Sequence, residues 1–488
     1  MSDATAVDTL IVGAGIAGIG LGHQLRRAGL HNFVILERSN RPGGTWRENR
    51  YPGAACDVPS HLYSYSFAPN PDWSRLFAPQ PEILAYVERC AHAFGLMPHL
   101  RLRSAVQRAR WDADAARWRV ETSTGERYDA RHLVSCAGHA LSRPVYPDAE
   151  GRERFAGVQM HSSAWNDQVD LRGKRVAVVG TGASAIQIVP SIAERVGQLY
   201  VLQRTAGWLI PRPDVAMPPA VRRLFAVAPW TQKLVRGAIY SYMEAYAAGY
   251  VFEPRLLAIR ERSALAYLRE EIPDPELRRA LTPTHRAGCK RILISSDYYA
   301  ALRRPNVTLV PEGLRALDEQ AVVTAGGRRL EVDVVIHATG FETAEASPPF
   351  ELVGRDGLTL ADAWREGISA YLGTAIPGFP NLFLLLGPNS GLGHSSMIYM
   401  MESQFAYIVD AIGLAQRQGW RWFDVRPDVT RRYNDWLQAR LARSVWNTGG
   451  CESWYLTRTG RNTTVWPGFT FEFRHRLRRF DPASYELG

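Results

Sequence analysis

The sequence predicts an α/β fold built from two Rossmann-like units with a helical insertion, and three observations carry that prediction. Two glycine-rich turns, Gly13-Ala-Gly15-Ile-Ala-Gly18 and Gly180-Thr-Gly182-Ala-Ser-Ala185, each follow an apolar strand and open a helical pattern. The interval from Gly13 to Glu37 equals that from Gly180 to Arg204, so the two units share one register. Residues 213 to 286 keep no strand rhythm and read as helices inserted beside the second unit. A chain of 488 residues allows about three domains.

In the first unit Thr9 to Val12 is a buried strand. Its helix places Ala17, Leu21 and Leu25 on one face and stops near Gly29, and a second strand, Phe33 to Leu36, ends at Glu37. In the second unit Arg175 to Val179 is the strand. The helix carries Ile188, Ile192 and Val196 with Pro190 as a kink, and Leu199 to Gln203 leads to Arg204. Glycine lets backbone approach a pyrophosphate, and the helix N-terminus behind it offers free amides and positive dipole. These are the marks of two Rossmann-like dinucleotide-binding domains. Glu37 suits the ribose hydroxyls of FAD or NAD and would repel a 2′-phosphate, whereas Arg204 would attract one, so the second unit is assigned NADPH. Taken alone, Arg204 reads equally well as a solvated strand-end arginine. Asp333 to Phe341 is an apolar strand ending in a small-residue turn; a closing strand of a Rossmann sheet, with Leu133 to Gly138 as its counterpart in the first unit, and an ordinary strand and turn suit its spacing equally.

Composition narrows the rest. With 46% hydrophobic and 22% charged residues the chain suits a large core, which excludes disordered and fibrous classes. The net charge of +10 is spread along the chain. Only Lys174, Lys233 and Lys290 among the 58 basic residues are lysine, and because the basic residues are scattered rather than blocked a mildly cationic surface is expected and not a nucleic-acid stripe. Phe225 to Phe252 is interrupted by Lys233, Arg236 and Glu244, and no transmembrane helix is expected. The N-terminus lacks a signal-peptide pattern. The five cysteines, Cys56, Cys90, Cys136, Cys289 and Cys451, are widely spaced without a CxxC, so a reducing, cytoplasmic setting is expected with no staples. The missing CxxC also argues against a disulfide reductase, and no metal-ligand cluster stands out.

Two further stretches resemble the flavin-dependent Baeyer-Villiger monooxygenases, relatives of the flavin-containing monooxygenases. Gly43-Gly44-Thr45-Trp46 through Tyr51-Pro52-Gly53 to Asp57 is similar to GGxWxxxxYPGxxxD. Phe155-Ala-Gly157 through His161 to Trp165 is similar to FxGxxxHxxxW, with Asn166 intervening before Asp167. Trp165 favours this group, since the heteroatom oxidisers tend to carry Tyr or Phe there. Gln203-Arg204-Thr205, Cys289-Lys290-Arg291, Asp297-Tyr298-Tyr299, Gly387-Pro388-Asn389 and Ser453-Trp454-Tyr455 are also family-like, so the resemblance spans nearly the whole chain.

The resemblance implies FAD contacts at Gly13, Gly15, Gly18, Glu37, Thr45, Trp46, Asp57, Tyr63 and the backbone of Val106. It implies NADPH contacts at Gly180, Thr181, Gly182, Ala183, Ser184, Ala185 and Ile186, at Gln203, Arg204, Thr205 and Lys290, and at Trp454. Arg291 is implied as the catalytic arginine with Asp57 as its acidic neighbour, and His161 and Trp165 lie on the link between domains. By the same resemblance the reaction turns a ketone and O2 into an ester or lactone through a C4a-peroxyflavin anion, which a permanently charged guanidinium would stabilise. Read without the family, Arg291 and Asp57 equally suit a structural ion pair. Oxygenation of sulfur or nitrogen is the first alternative, and a flavin- or nucleic-acid-binding protein without turnover is the second. The expected domains are 1–140 with 335–488 for FAD, 141–212 with 287–334 for NADPH, and 213–286 as the insertion.

Overall fold

The computed structural model describes residues 4–138, 143–345 and 347–488. The expected boundary between residues 140 and 141 lies outside them. The first sheet is mixed. Thr5–Val12 lies between Phe33–Leu36 and Arg127–Ser135, all parallel, with Leu100–Arg101 beyond Phe33–Leu36. Arg127–Ser135 is shared: its first half pairs antiparallel with Arg117–Thr122, and Leu133 to Ser135 pairs parallel with Leu382–Leu384. The C-terminal third therefore returns to the first sheet. Its long helix, Met397–Gln418, packs on Ile16–Arg27, where Gly20 leaves room for the Phe405 ring.

The second sheet has five parallel strands in the order Val307–Val310, Gln198–Leu202, Arg175–Val179, Val334–His337 and Val158–His161. Its central residues Val176, Val178, Val201, Val335 and Ile336 are fully buried. Such β-branched strands, covered on both faces, gain about 1.5–3 kcal/mol for each side chain removed from water. Val334–His337 belongs wholly to this sheet, so the second unit runs past the expected boundary at 334. Asp333 to Phe341 does supply a strand of this sheet, but Val334–His337 lies between Arg175–Val179 and Val158–His161, and it is Val158–His161 that forms the edge on that side. Residues 213–286 form helices Pro219–Val227, Pro229–Ala245, Ala258–Glu271 and Pro275–Ala280. Arg236 donates to the carbonyls of His61, Leu62 and Ser64, which pins the insertion to the first unit. Among the described residues no helix is long and apolar enough to cross a membrane.

The cysteine expectation needs correction. Cys56, Cys90 and Cys136 are free and buried, but Cys289 and Cys451 form a disulfide across 162 residues. Sequence spacing gave no sign of it, because the fold alone brings the loop before Leu293–Ile294 against the segment after Val445–Thr448.

The two units meet through the Tyr51-Pro52-Gly53 segment. Tyr51 donates to Oε1 of Gln187 at 3.0 Å, and the Gln187 amide donates to the carbonyl of Ala55 at 3.0 Å, so the segment seats on helix Ala185–Ile192. Gly53 is required there. Its φ is +82°, and a Cβ would lie 2.2 Å from Ser191 Oγ and 2.6 Å from the Gln187 carbonyl oxygen. Gly53→Ala should cost about 1–3 kcal/mol, read as a lower denaturant midpoint. Gly125→Ala, with a similar φ of +81° and open space around it, is the control and should cost less.

Candidate active site

Each glycine turn is shaped by the parallel strand beside its own. A Cβ on Gly13 would lie 2.6 Å from the carbonyl oxygen of Cys136, and one on Gly180 would lie 2.5 Å from that of Ala338. The same contact is thus built twice, and the counterpart role of Leu133 to Gly138 is visible in it. Gly15 is the N-cap of Ile16–Arg27 and faces Gly44, where a Cβ on Gly44 would stand 3.0 Å from Gly15 Cα. This glycine-on-glycine contact leaves the helix N-terminus open. Neither Ile16–Arg27 nor Ala185–Ile192 has a side-chain cap or an acidic residue in its first turn. Two uncapped N-termini behind Cβ-free turns fit the pyrophosphates of FAD and NADPH.

Glu37 is buried at the end of its strand. One carboxylate oxygen accepts from the Ala14 N–H at 2.8 Å and the other from the Ser39 N–H at 2.9 Å, which locks the turn to the strand end. Thr45 opens the short helix Thr45–Glu48, and Trp46 Nε1 donates to the Tyr63 hydroxyl at 3.1 Å. Burial holds the Tyr63 phenol well above its ordinary range. Val106 begins its strand, buried and paired with Thr122. In the second unit the Thr181 hydroxyl donates to the Thr205 carbonyl at 3.2 Å, tying turn to strand end. The Gln203 amide donates to the Ala280 carbonyl at 2.7 Å, so that side chain serves the scaffold. Arg204 is exposed and lies 4.0 Å from Glu452. Lys290, distant in sequence, has its pKa lowered by burial and then by the nearby charge of Arg204, so the fold does bring these two cations together.

Arg291 precedes strand Leu293–Ile294, which forms a two-residue parallel ladder with Leu209–Ile210. Buried Trp208 anchors that ladder through its Nε1–H to the His285 carbonyl at 2.8 Å. Across from it, the Arg212 guanidinium donates to the carbonyls of Cys56 and Phe77 at 3.3 and 3.1 Å, fixing the irregular segment that bears Asp57. Arg291 then donates from Nε to Asp57 Oδ2 at 2.6 Å and from Nη2 to Oδ1 at 2.8 Å. The Asp57 carboxylate raises the Arg291 pKa further above its ordinary value, against the opposing effect of burial. The guanidinium stays charged at any working pH.

Around this pair stands a chain of rings unforeseen in the sequence: His394, Tyr250 of the insertion, Trp446 and Tyr455, with successive centroids 6.0, 5.6 and 6.4 Å apart. All four are buried. The charge of Arg291 acts on His394, Tyr250 and Tyr455. Burial pushes the Tyr455 phenol up to about 12 and the His394 imidazole down to about 4. Tyr455 Oη, Trp446 Nε1 and both His394 nitrogens have no hydrogen-bond partner among the described residues. Only Tyr455 carried a sequence signal, its place in Ser453-Trp454-Tyr455. Trp454 is 42% exposed and stacks on Tyr455 at 4.9 Å.

The link residues are set apart from these rings. His161 is fully buried at the end of Val158–His161, and its Nδ1 accepts from the Ser163 N–H at 3.1 Å. Arg50 of the first unit donates to the Trp165 carbonyl at 3.3 Å and lies 3.4 Å from Asp167, so the link is strapped to both units.

Residues 10–246 match the family model described as pyridine nucleotide-disulphide oxidoreductase. Over 478 residues, 98% of this chain and 90% of the relative, the sequence is 47% identical to a Baeyer-Villiger monooxygenase of Pseudomonas aeruginosa. The chain belongs to the Baeyer-Villiger monooxygenases. A second such relative, from Streptomyces coelicolor, is 47% identical over 99% of this chain and 92% of its own length. Among solved structures, an oxidised steroid monooxygenase bound to NADP is 32% identical, with a TM-score of 0.87 over 99% of each chain. A closed cyclohexanone monooxygenase is 28% identical, with a TM-score of 0.87 over the whole of both chains.

The buried histidines set a pH dependence of stability. His132 and His394 have folded-state values near 3 and 4, below the ordinary 6.5, because burial disfavours the imidazolium. The unfolded chain takes up protons first, so this stability is complete above pH 6.5 and is lost as pH falls toward 4. At pH 5 the loss is about 2 kcal/mol for each such group. Denaturant midpoints measured from pH 7 to pH 5 should fall, and should fall less in His394→Asn.

Proposed function

We propose that this chain is an NADPH- and O2-dependent FAD monooxygenase that converts a ketone to an ester or lactone, with Arg291 stabilising negative charge at the reacting oxygens. The observation that carries this reading is the two-point Arg291–Asp57 pair at 2.6 and 2.8 Å. With Nε and Nη2 turned to the carboxylate, Nη1 is the donor left to meet an oxyanion, and its direction is fixed before substrate arrives. Asp57 acts as the positioning carboxylate. When bound, FAD reduced by NADPH would supply the two electrons that let one atom of O2 enter the ketone while the other leaves as water.

The chain's own residues do the rest. Gly13, Gly15 and Gly18 would bring backbone to the FAD pyrophosphate, Glu37 would face the ribose, and Thr45, Trp46, Asp57, Tyr63 and Val106 would border the flavin. The turn from Gly180 to Ile186 would take the NADPH pyrophosphate, and Arg204, Thr205 and Lys290 the 2′-phosphate, with Gln203 holding the strand end and Trp454 at the nicotinamide side. Glu452 would have to yield Arg204 to the phosphate. The buried rings Tyr250, Trp446, Tyr455 and His394 would exclude water from the ketone and offer it neutral polar groups, since burial keeps each of these side chains uncharged. His161 and Trp165 would serve the movement between units. We read the protein as cytoplasmic.

Product analysis of the purified protein against a panel of ketones, with NADPH regenerated, is the direct test, and esters or lactones are expected. Arg291→Ala should lower ester formation by about 100-fold or more, the scale of losing one oxyanion donor. Ester formation at the parent rate in that variant would overturn the role of Arg291. Arg204→Ala should raise the KM for NADPH about tenfold or more and leave that for NADH within twofold, through loss of a charge-assisted contact. Equal effects on both coenzymes would remove the phosphate assignment.

A further inference from the structure

We propose that Cys289 and Cys451 are a reversible redox site, oxidised by hydrogen peroxide, that sets whether the segment from Gly449 to Leu456 is closed over Arg291. This rests on the function proposed above. The pair sits where such a device would act. Cys289 immediately precedes Lys290 and Arg291, and Cys451 precedes Glu452, Trp454 and Tyr455. Their bond joins the loop that carries the guanidinium to the segment that carries the buried Tyr455 ring.

Little else holds residues 450 to 454. The Arg286 N–H donates to the Gly449 carbonyl at 3.0 Å at the near end of the segment. Beyond it stands the ion pair of Glu452 with Arg204, 4.0 Å long between side chains 90% and 76% exposed, a contact of little strength in water. The Ser453 hydroxyl and carbonyl accept only from Tyr455 and Leu456, within the segment itself. Gly449 lies against Cys289, where an added Cβ would stand 2.5 Å from Cys289 Cβ and 2.9 Å from its Sγ, so the start of the segment packs directly on this cysteine.

The two sulfurs are unequally placed. Cys289 is fully buried and Cys451 half-buried, so a reagent from solvent meets Cys451 first. The Cys451 thiolate attacks one oxygen of H2O2 and breaks the O–O bond, giving a sulfenic acid and hydroxide. Cys289 Sγ, as thiolate, then attacks Cys451 Sγ and displaces the second hydroxide. The two protons released by the thiols neutralise the two hydroxides, so two thiols and H2O2 become a disulfide and two waters. A dithiol reverses it by exchange. The oxidant is the product of NADPH and O2 when the oxygen is not passed to a ketone. Closure then excludes water from the site and lowers further loss of peroxide, a feedback confined to one loop. A disulfide in a chain read as cytoplasmic, beside three cysteines that remain free, suits a reversible pair better than a permanent staple.

The test uses the holoenzyme. After treatment with H2O2, alkylation and tryptic digestion should yield a peptide linking Cys289 to Cys451, and dithiothreitol should abolish it. Limited trypsin cleavage after Arg458, whose side chain is 94% exposed, should be faster in the dithiothreitol-treated protein and in Cys451→Ser than in the oxidised protein. Peroxide released per NADPH consumed should rise on the order of fivefold or more in both. Cys90→Ser should change neither. Failure of the linked peptide to form would overturn the proposal, as would equal cleavage and equal peroxide release in the two states. The cleavage comparison needs no turnover. If it switches while no ketone is oxidised, the reading of function fails and the redox site stands.

Discussion

Arg291 and Asp57 come from different units, 234 residues apart in the chain, and their ion pair constrains both. A guanidinium or a carboxylate withdrawn from bulk water without a partner is costly, and each is stabilised here by two directed bonds from the other. The pair therefore forms only when the strand after the helical insertion lies against the segment that follows Gly53. Several supports converge on that placement. Arg212 grips the carbonyls of Cys56 and Phe77, Gln187 clasps Ala55, and Trp208 anchors the ladder that leads to Arg291. Altered packing between the units would reach the site first as a misdirected guanidinium.

The two glycine turns show how much of this was set by local chemistry. Gly13 and Gly180 both have positive φ, and each lies against a carbonyl just past the end of the parallel neighbour strand. A turn of this kind needs a parallel neighbour strand beside it, which explains why the motif predicted sheets as well as binding sites. Once the sheets exist, the unlike residues at matched positions, Glu37 buried and bonded to backbone and Arg204 exposed, differentiate the two sites.

The fold was legible wherever the signal was local. The glycine turns, the strand ends and the strandless stretch that became the insertion could be read directly, because periodicity and backbone conformation are properties of short segments. The family motifs located Arg291 and Asp57, but their bonding is long-range and was visible only in the structure. The ring chain of His394, Tyr250, Trp446 and Tyr455 was illegible for the same reason: each residue reads as ordinary core until packing gathers four polar-edged rings beside one cation. The disulfide ran against a sound general rule. Wide spacing and low cysteine number argue against a staple framework, yet they say nothing of two cysteines that the fold alone makes neighbours.

Burial keeps several titratable side chains around Arg291 neutral. Burial raises the phenols of Tyr63, Tyr250 and Tyr455 and the thiol of Cys56, and it lowers the imidazole of His394, so all stay neutral near pH 7. Against that neutral wall the guanidinium is held charged by Asp57, and on the function proposed above an oxyanion forming nearby would be stabilised from one fixed direction. A lysine or histidine in its place would feel the same burial as a downward shift and could surrender its proton to the reaction. Arginine cannot, and its forked geometry lets one edge be held by a carboxylate while the other remains free. The choice of residue, the bidentate partner and the neutral surroundings are three expressions of one requirement, a fixed positive charge that does not titrate.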